Sequence, residues 1–365
     1  MSSHKPSAVI LAAGKSTRMG RQKPLLPLGK STVAARVVGL FRSAGVTDIR
    51  VVVGHRGERL APTVQQVGGK PVVNPGYEGG MFTSVLAGLR ALEPGRAGVF
   101  VHPVDIPLVR PHTIRRLQDA FRCLPSSDAD RAILYPTFQG RRGHPPLIGG
   151  GHIPDILRWR GDGGLRAYLA EWSATAREVP VADRFILADM DAPEDYSRMA
   201  EDWRGYSVPS PEECRALMLD IMAVPPPVWN HCRAVADTAV ALARAVNQAG
   251  GADAPEGNLH LHLIQAAALV HDLARTGPDH ARAGAAILRE MDFPAVADIV
   301  ALHMELPPGR EGRLAAAEIV FLADKLVAGE ARVPLDERFR RQAARFKCRP
   351  EGLAALARRR ASAEA

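Results

Sequence analysis

From Ala8 to about Arg204, short apolar runs alternate with stretches whose apolar residues recur every three or four positions. The runs predict strands at Ala8–Ala12, Ile49–Gly54, Pro71–Asn74, Gly98–His102, Ala132–Tyr135 and Glu178–Val181. The longer period predicts helices over about Thr32–Ala44, Gly57–Gln66, Met81–Leu92 and Pro111–Cys123. Such alternation builds an α/β, Rossmann-like unit with a mostly parallel sheet covered by helices. Its ligands should sit beyond the carboxyl ends of the strands. Past Gly205 the strand pattern disappears. Helical patterns run at Pro211–Met222, Val228–Asn247, Leu259–Arg275, His280–Met291, Ala295–His303 and Leu314–Ala328, and no strand is expected among them. This predicts an all-α second unit. Gly205–Pro211, G-Y-S-V-P-S-P, reads as a linker. The expected division is therefore 1–204, a linker at 205–211, 212–345, and a basic tail at 346–365. The nine Lys and Arg residues after Glu337, including Arg358-Arg359-Arg360, read as a solvated or frayed helix.

Composition adds boundaries rather than a function. A chain of 365 residues, 46% of them hydrophobic, fits two domains with a core each. The formal charge of +8 favours anionic partners without separating nucleotides from nucleic acid. No nucleic-acid reading motif accompanies it, so nucleic acid is not an expected partner. Four scattered cysteines, Cys123, Cys214, Cys232 and Cys348, form no C-x-x-C pair. That suits a reducing compartment and argues against a disulfide framework or a Cys zinc site. No signal peptide is visible and no run approaches roughly 18 apolar residues. A cytoplasmic protein without a membrane span is expected.

The chemistry concentrates at Leu11–Lys23, L-A-A-G-K-S-T-R-M-G-R-Q-K, between the first strand and the first helix. A loop leaving a strand with free backbone N–H groups and nearby cations is suited to phosphates. G-K-S-T occurs twice, at Gly14–Thr17 and Gly29–Thr32, but a P-loop needs a Gly five residues earlier. Val9 and Pro24 stand there, so neither copy is a P-loop. The pattern L-A-A-G-x-S-x-R-M-G-x-x-K instead resembles the signature of the MobA-like nucleotidyltransferases. Within that group it is most similar to the molybdenum cofactor cytidylyltransferases; guanylyltransferase relatives usually read L-A-G-G, and this chain has Ala13.

Further segments resemble the same family in order, over about residues 7–204. Asp105-Ile106-Pro107 resembles its D-x-P metal motif, although the cytidylyltransferases often carry Gln-Pro or Met-Pro nearby. Asn74–Ser84 looks like its N-x-x-x-x-G-M-x-x-S region, Arg142–Pro146 like its G-H-P acceptor segment, and Gly161–Arg166 like G-D-x-G-x-R. Asp189–Tyr196 is similar to D-I-D-T-P-E-D; Asp189 or Asp191 would share the metal there, or Asp191 would cap the helix begun by Pro193. The resemblance implies a fold of the nucleotide-diphospho-sugar transferase type. It implies nucleotide contacts from Leu11, Ala12, Ala13, Gly14, Lys23, Asn74, Gly79, Ser84 and Asp105. Catalytic roles fall to Arg18, Lys23 and Asp105, and Mg²⁺ would be held by Asp105 with Asp191.

The helical half carries His231, His271-Asp272 and Asp324, expected on the helices at Val228–Asn247, Leu259–Arg275 and Leu314–Ala328. Imidazole and carboxylate from separate helices can converge on one metal, and they suit Mn, Fe, Zn or Ni better than Mg. A-A-L-V-H-D-L-A at Ala267–Ala274, F-L-A-D-K-L at Phe321–Leu326 and V-P-P-P-V-W-N-H-C-R-A-V-A at Val224–Ala236 resemble the HD-domain metal phosphohydrolases, over about residues 211–345. His280 and His303 are placed like the extra ligands of HD subgroups that hold two metals, such as the bacterial HD-type diadenosine tetraphosphatases; a helix cap or packed histidine is the other reading. Lys325 reads as a surface lysine, or as a phosphate contact. His4, His55, His152, His260 and His262 receive no role.

The expected protein is thus bifunctional. CTP and a molybdopterin-type phosphorylated acceptor would give the cytosine dinucleotide and pyrophosphate, with a molybdoenzyme or its chaperone as a partner. The second half would be a metal-dependent phosphohydrolase of open substrate. GTP, another acceptor, or a regulatory protein with a non-catalytic HD domain are the alternatives.

Overall fold

The computed structural model describes residues 5–250, 258–275, 277, 279–309, 314–345 and 350–364. His4 and Cys348 lie outside the described residues. The chain separates into two compact units, Met1–Tyr206 and Ser207–Ala365.

The first unit is built on an eight-stranded sheet. Its main strands are β1 (Ser7–Ala12), β2 (Ile49–Val53), β3 (Lys70–Val73), β4 (Gly98–Pro103), β5 (Ile133–Phe138), β6 (Leu147–Gly149) and β7 (Arg177–Pro180), in the order β7-β5-β6-β4-β1-β2-β3. β1 is buried along its whole length and pairs in parallel with β2 and β4, Ala8 lying beside Ile49 and Phe100. Helices cover both faces of such a strand, so it reads as a continuous apolar run. β6 was not expected. It runs antiparallel between β4 and β5, and three residues after Pro145-Pro146 are too few to show a period.

The expected helices form at Val33–Ser43, Gly57–Gln66, Met81–Arg90 and Pro111–Arg122. Thr32 caps the first of these by accepting from the Ala35 N–H. Met81–Arg90 lies close on β1 and β2 because Gly88 has no Cβ; one placed there would run into the Val9 and Val52 side chains.

Gly205 and Tyr206 belong to the first unit rather than to a linker. The Tyr206 carbonyl accepts from Arg110 at 2.5 Å, and its ring packs on Phe185 and Trp203. Ser210 then caps the next helix in a reciprocal box with Glu213.

The second unit is helical. Pro226–Gly250 packs against Leu261–Val270 and Ala316–Lys325, and Pro294–Leu302 packs against His280–Glu290. Cys232, Val235, Ala236, Ala239 and Ala243 form the buried stripe of the long helix. Four expectations are corrected. The helix expected over Leu259–Arg275 stops at Val270, because tighter turns, Leu273 N–H to Val270 O and Arg275 N–H to Asp272 O, replace the helical bonds. A two-residue hairpin, Val327–Ala328 with Ala331–Arg332, follows the helix expected to reach Ala328. The segment expected as helix to Met222 is α-helical only over Pro211–Arg215 and passes into a π-helix at Ala216–Ile221. The basic tail forms a helix, Pro350–Glu364, that is neither frayed nor wholly solvated: Leu356 is buried and Arg358 pairs with Glu305.

Gly88→Val should overpack the first unit's core and lower its stability by about 1–3 kcal/mol. Calorimetry that resolves the two units checks this; an unchanged transition would mean that the helix-to-sheet approach is not tight.

Candidate active sites

In the first unit, β1 and β4 run side by side and end together, with Leu11 beside Pro103. Their loops are tied at once: the Val104 N–H donates to the Leu11 carbonyl. The loop after β1 crosses close to Gly54, where a Cβ would strike Ala13 and Tyr77. Two grooves open at this edge. One of about 300 Å³ is lined by Leu11–Gly14, Lys23, Ser84 and Asp105. The other, of about 750 Å³, is lined by Gly79, His144, Arg166, Asp189 and Asp191 among others, and also by Asp105. Asp105 therefore stands where the two meet.

Lys23 Nζ lies 2.9 Å from Asp191 Oδ1 and 3.4 Å from Asp105 Oδ2. Arg18, largely exposed, reaches Asp191 Oδ2 at 3.3 Å. Burial pushes the Asp105 carboxyl above its usual range, and Lys23 acts against that shift. The Lys23 hydrogen bond and charge hold Asp191 below it. Asp191 does not cap the following helix. Asp195 does, its Oδ2 accepting from the Asp191 and Ala192 N–H groups at 2.9 and 2.7 Å.

Asn74 lines neither groove. Its amide donates to Thr83 and Ser84 and its Oδ1 accepts from the Gly76 N–H, so it shapes the loop that carries Gly79 and Ser84. The sequence reading missed His102. Buried in β4, it bonds the Ile106 carbonyl through Nε2 at 2.9 Å and so holds the turn bearing Asp105. The available signal was a lone histidine inside the apolar run of that strand.

In the second unit the six expected residues converge. His231 comes from the long helix, His271 and Asp272 from the turns after Val270, and Asp324 from Ala316–Lys325. His280 opens one helix and His303 closes another. Ligand atoms of His231, His271 and Asp324 lie within 4.8 Å of one another, as do those of Asp272, His280 and His303. Asp272 joins the clusters: Oδ2 is 3.6 Å from His271 Nε2, and Oδ1 is 3.3 and 3.6 Å from His280 and His303 Nε2.

The donor set fits a cation. The Nδ1–H groups of His231, His271 and His303 donate to the carbonyls of Gly329, Ala268 and Val300 at 2.7–2.8 Å. Each ring thereby turns Nε2 inward. His271 Nε2 is buried without a hydrogen-bond partner and faces two carboxylates. Burial holds the His271 ring down to about 4. Burial opposes charge on Asp272 and Asp324 too, but the histidines, Arg275 and Lys325 outweigh it and hold both well below the usual range. Lys325 is not on the surface. It is 3% exposed and donates to Asp324 Oδ2 at 2.6 Å and to the His303 carbonyl at 3.1 Å. Cys232, also unassigned from sequence, lies beside His271 and Asp272.

The parallel-sheet unit with a groove at its strand ends is a nucleotidyltransferase-type domain, and the helical unit is a metal-site domain. Residues 8–178 match the family model for the MobA-like NTP transferase domain, and residues 228–329 match that for the HD domain. The chain thus carries one of each. The molybdenum cofactor cytidylyltransferase of Escherichia coli (strain K12) is 29% identical over 189 residues, which cover 52% of this chain and 92% of that protein. The bifunctional protein GlmU of Corynebacterium diphtheriae is 32% identical over 149 residues, 38% of this chain. The chain spans only 30% of that relative's length. A solved structure, Rv0371c from Mycobacterium tuberculosis H37Rv, is 26% identical and aligns with 55% of this chain and 100% of its own, with a TM-score of 0.47. No helix among the described residues is long and apolar enough to cross a membrane.

Two outcomes are expected. Burial holds His102 neutral, down to about 3, while the unfolded chain takes up that proton below 6.5. The stability it contributes above 6.5 is therefore lost as pH falls toward 3, at about 1.4 kcal/mol per pH unit. His102→Gln, which keeps an N–H for Ile106, should flatten that acid limb in calorimetry; an unchanged limb contradicts the assignment. Separately, His271→Ala should lose bound Mn²⁺ or Zn²⁺ in elemental analysis while the first unit melts as before.

Proposed function

We propose that the chain is a bifunctional enzyme. Its first unit, Met1–Tyr206, transfers a cytidylyl group from CTP to Mo-molybdopterin, giving molybdopterin cytosine dinucleotide and pyrophosphate. Its second, Ser207–Ala365, is a metal-dependent phosphohydrolase. The observation that carries the transfer reading is the meeting of two grooves at one half-buried carboxylate, Asp105. Joining two phosphorylated molecules calls for two adjacent sites with a cation between them.

The smaller groove suits the nucleotide, with the Ala12–Gly14 backbone and Lys23 toward its phosphates. The larger suits the acceptor, with His144 and Arg166 on its wall. An acceptor phosphate oxygen attacks the α-phosphorus, the bond from that phosphorus to the α–β bridging oxygen breaks, and pyrophosphate leaves. Arg18 and Lys23 offset the charge of the triphosphate and of the leaving group. Asp105 and Asp191 would hold Mg²⁺, which when bound draws charge from the reacting phosphates. Asn74 positions the loop between the grooves. Ala13 and the named activity of the Escherichia coli relative support CTP and the molybdopterin acceptor.

In the second unit, His231, His271, Asp272 and Asp324 would hold one divalent ion such as Mn, Fe, Zn or Ni, with His280 and His303 serving a second beside Asp272. Such an ion supplies Lewis acidity toward a phosphoryl oxygen. The same reading places the protein in the cytoplasm, with a molybdoenzyme or its chaperone receiving the dinucleotide.

Competition between equal CTP and GTP, with Mo-molybdopterin present, the dinucleotide products separated and the rate followed by pyrophosphate release, should give the cytidylyl product. Asp105→Asn should lower that rate about 100-fold or more, with the metal content of the second unit intact. A guanylyl product, or turnover indifferent to the acceptor, overturns the substrate assignment; normal turnover of Asp105→Asn overturns the site.

A further inference from the structure

Lys23 occupies the position between the two carboxylates that a metal ion would share. Its Nζ is 2.9 Å from Asp191 Oδ1 and 3.4 Å from Asp105 Oδ2, and its side chain is 12% exposed against 50% for Asp191. It is thus the least exposed of the trio. The loop fixes its main chain, since the Lys23 N–H donates to Ser16 Oγ at 3.2 Å. Ser16 is held at φ 52° at the start of the short Thr17–Met19 turn. A lysine side chain on an anchored backbone can change partner by rotation alone. The smaller groove, assigned above to the nucleotide, is lined by that same lysine.

We propose that Lys23 is a resident counter-ion that keeps metal off Asp105 and Asp191 until the nucleotide arrives. In the nucleotide-free site, the ammonium sits between both carboxylates and offsets part of their charge, and a divalent cation entering beside it meets like charge. When a triphosphate enters the smaller groove, it offers Lys23 a more highly charged anion. The side chain moves to it, and the vacated carboxylates accept the metal. Metal and nucleotide then bind with positive coupling, each raising the affinity for the other by the same factor. Free metal alone binds poorly. Arg18 shares the task only weakly, because its guanidinium lies in solvent and reaches Asp191 alone.

This inference rests on the reading of Asp105 and Asp191 as the metal carboxylates, and the two fail separately. Mn²⁺ binding to the full chain is followed by electron paramagnetic resonance with and without a non-hydrolysable CTP analogue. The class of sites that Asp105→Asn removes is the one at the first unit; if Asp105→Asn removes none at saturating analogue, the carboxylate reading itself is wrong. Lys23→Gln should move the two ligands in opposite directions. Mn²⁺ should bind that class about ten-fold or more tighter without nucleotide, while the analogue binds about ten-fold or more weaker. A misfolded variant would lose both, and Lys23→Met with calorimetry of the first unit provides the check on folding. Unchanged or weaker Mn²⁺ affinity in both folded variants overturns the proposal.

Discussion

A carboxylate taken out of water must meet a positive charge or lose its own, and both sites of this protein are built around that demand. Asp105 sits at the end of a buried strand, and Asp272 and Asp324 lie within a helical core. Each is answered by a cation: Lys23, from the loop after β1, for Asp105, Arg275, one turn further along the chain, for Asp272, and the adjacent Lys325 for Asp324. None of these pairs leaves its carboxylate satisfied on every side. The oxygens of Asp272 and Asp324 also face inward-turned imidazole nitrogens, one of which has no hydrogen-bond partner at all. What remains in each case is an acceptor-rich space suited to a divalent ion.

The two units reach this condition by different routes. In the first, parallel pairing of neighbouring strands brings two chain exits to one edge, and hydrogen bonds between their loops hold them there. The Met190 N–H donates to the Asp105 carbonyl at 3.0 Å, so the segment bearing Asp191 is tied to the same edge. Chain order places the parts far apart in sequence, and the sheet makes them neighbours. In the second, helices supply the ligands mainly from their ends, where backbone carbonyls are free to orient histidine rings. Ending the helix at Val270 is part of this arrangement, since it lets His271 and Asp272 face both clusters.

Much of this was legible in the sequence, because strongly periodic segments and ordered motifs carry their own physical reasons. The buried strands and amphipathic helices of the first unit appear within a few residues of the expected bounds. The helical character of the second unit follows from its apolar periodicity, and the residues that gather there from the resemblance of its histidines and aspartates to the HD-domain phosphohydrolases. The unread features depend on contacts between distant residues. The strand at Leu147–Gly149 exists only because β4 and β5 flank it. Lys325 is buried where it meets the carbonyl of His303, 22 residues earlier in the chain, a contact that its sequence neighbours do not reveal. The bonds that draw Asn74 into its loop, and those that make Asp195 rather than Asp191 the helix cap, likewise depend on how the chain turns after each strand.

The central claim is that one chain carries two separate metal centres, one of which serves a nucleotide. Anomalous scattering from crystals grown with Mn²⁺ and a non-hydrolysable CTP analogue tests it most directly. The account predicts one ion at about 2.0–2.2 Å from Asp105, beside the analogue's phosphates, and at least one more at similar distances from His231, His271, Asp272 and Asp324. Nucleotide bound in the first unit with no ion at Asp105, or ions in the second unit away from those four residues, would contradict it.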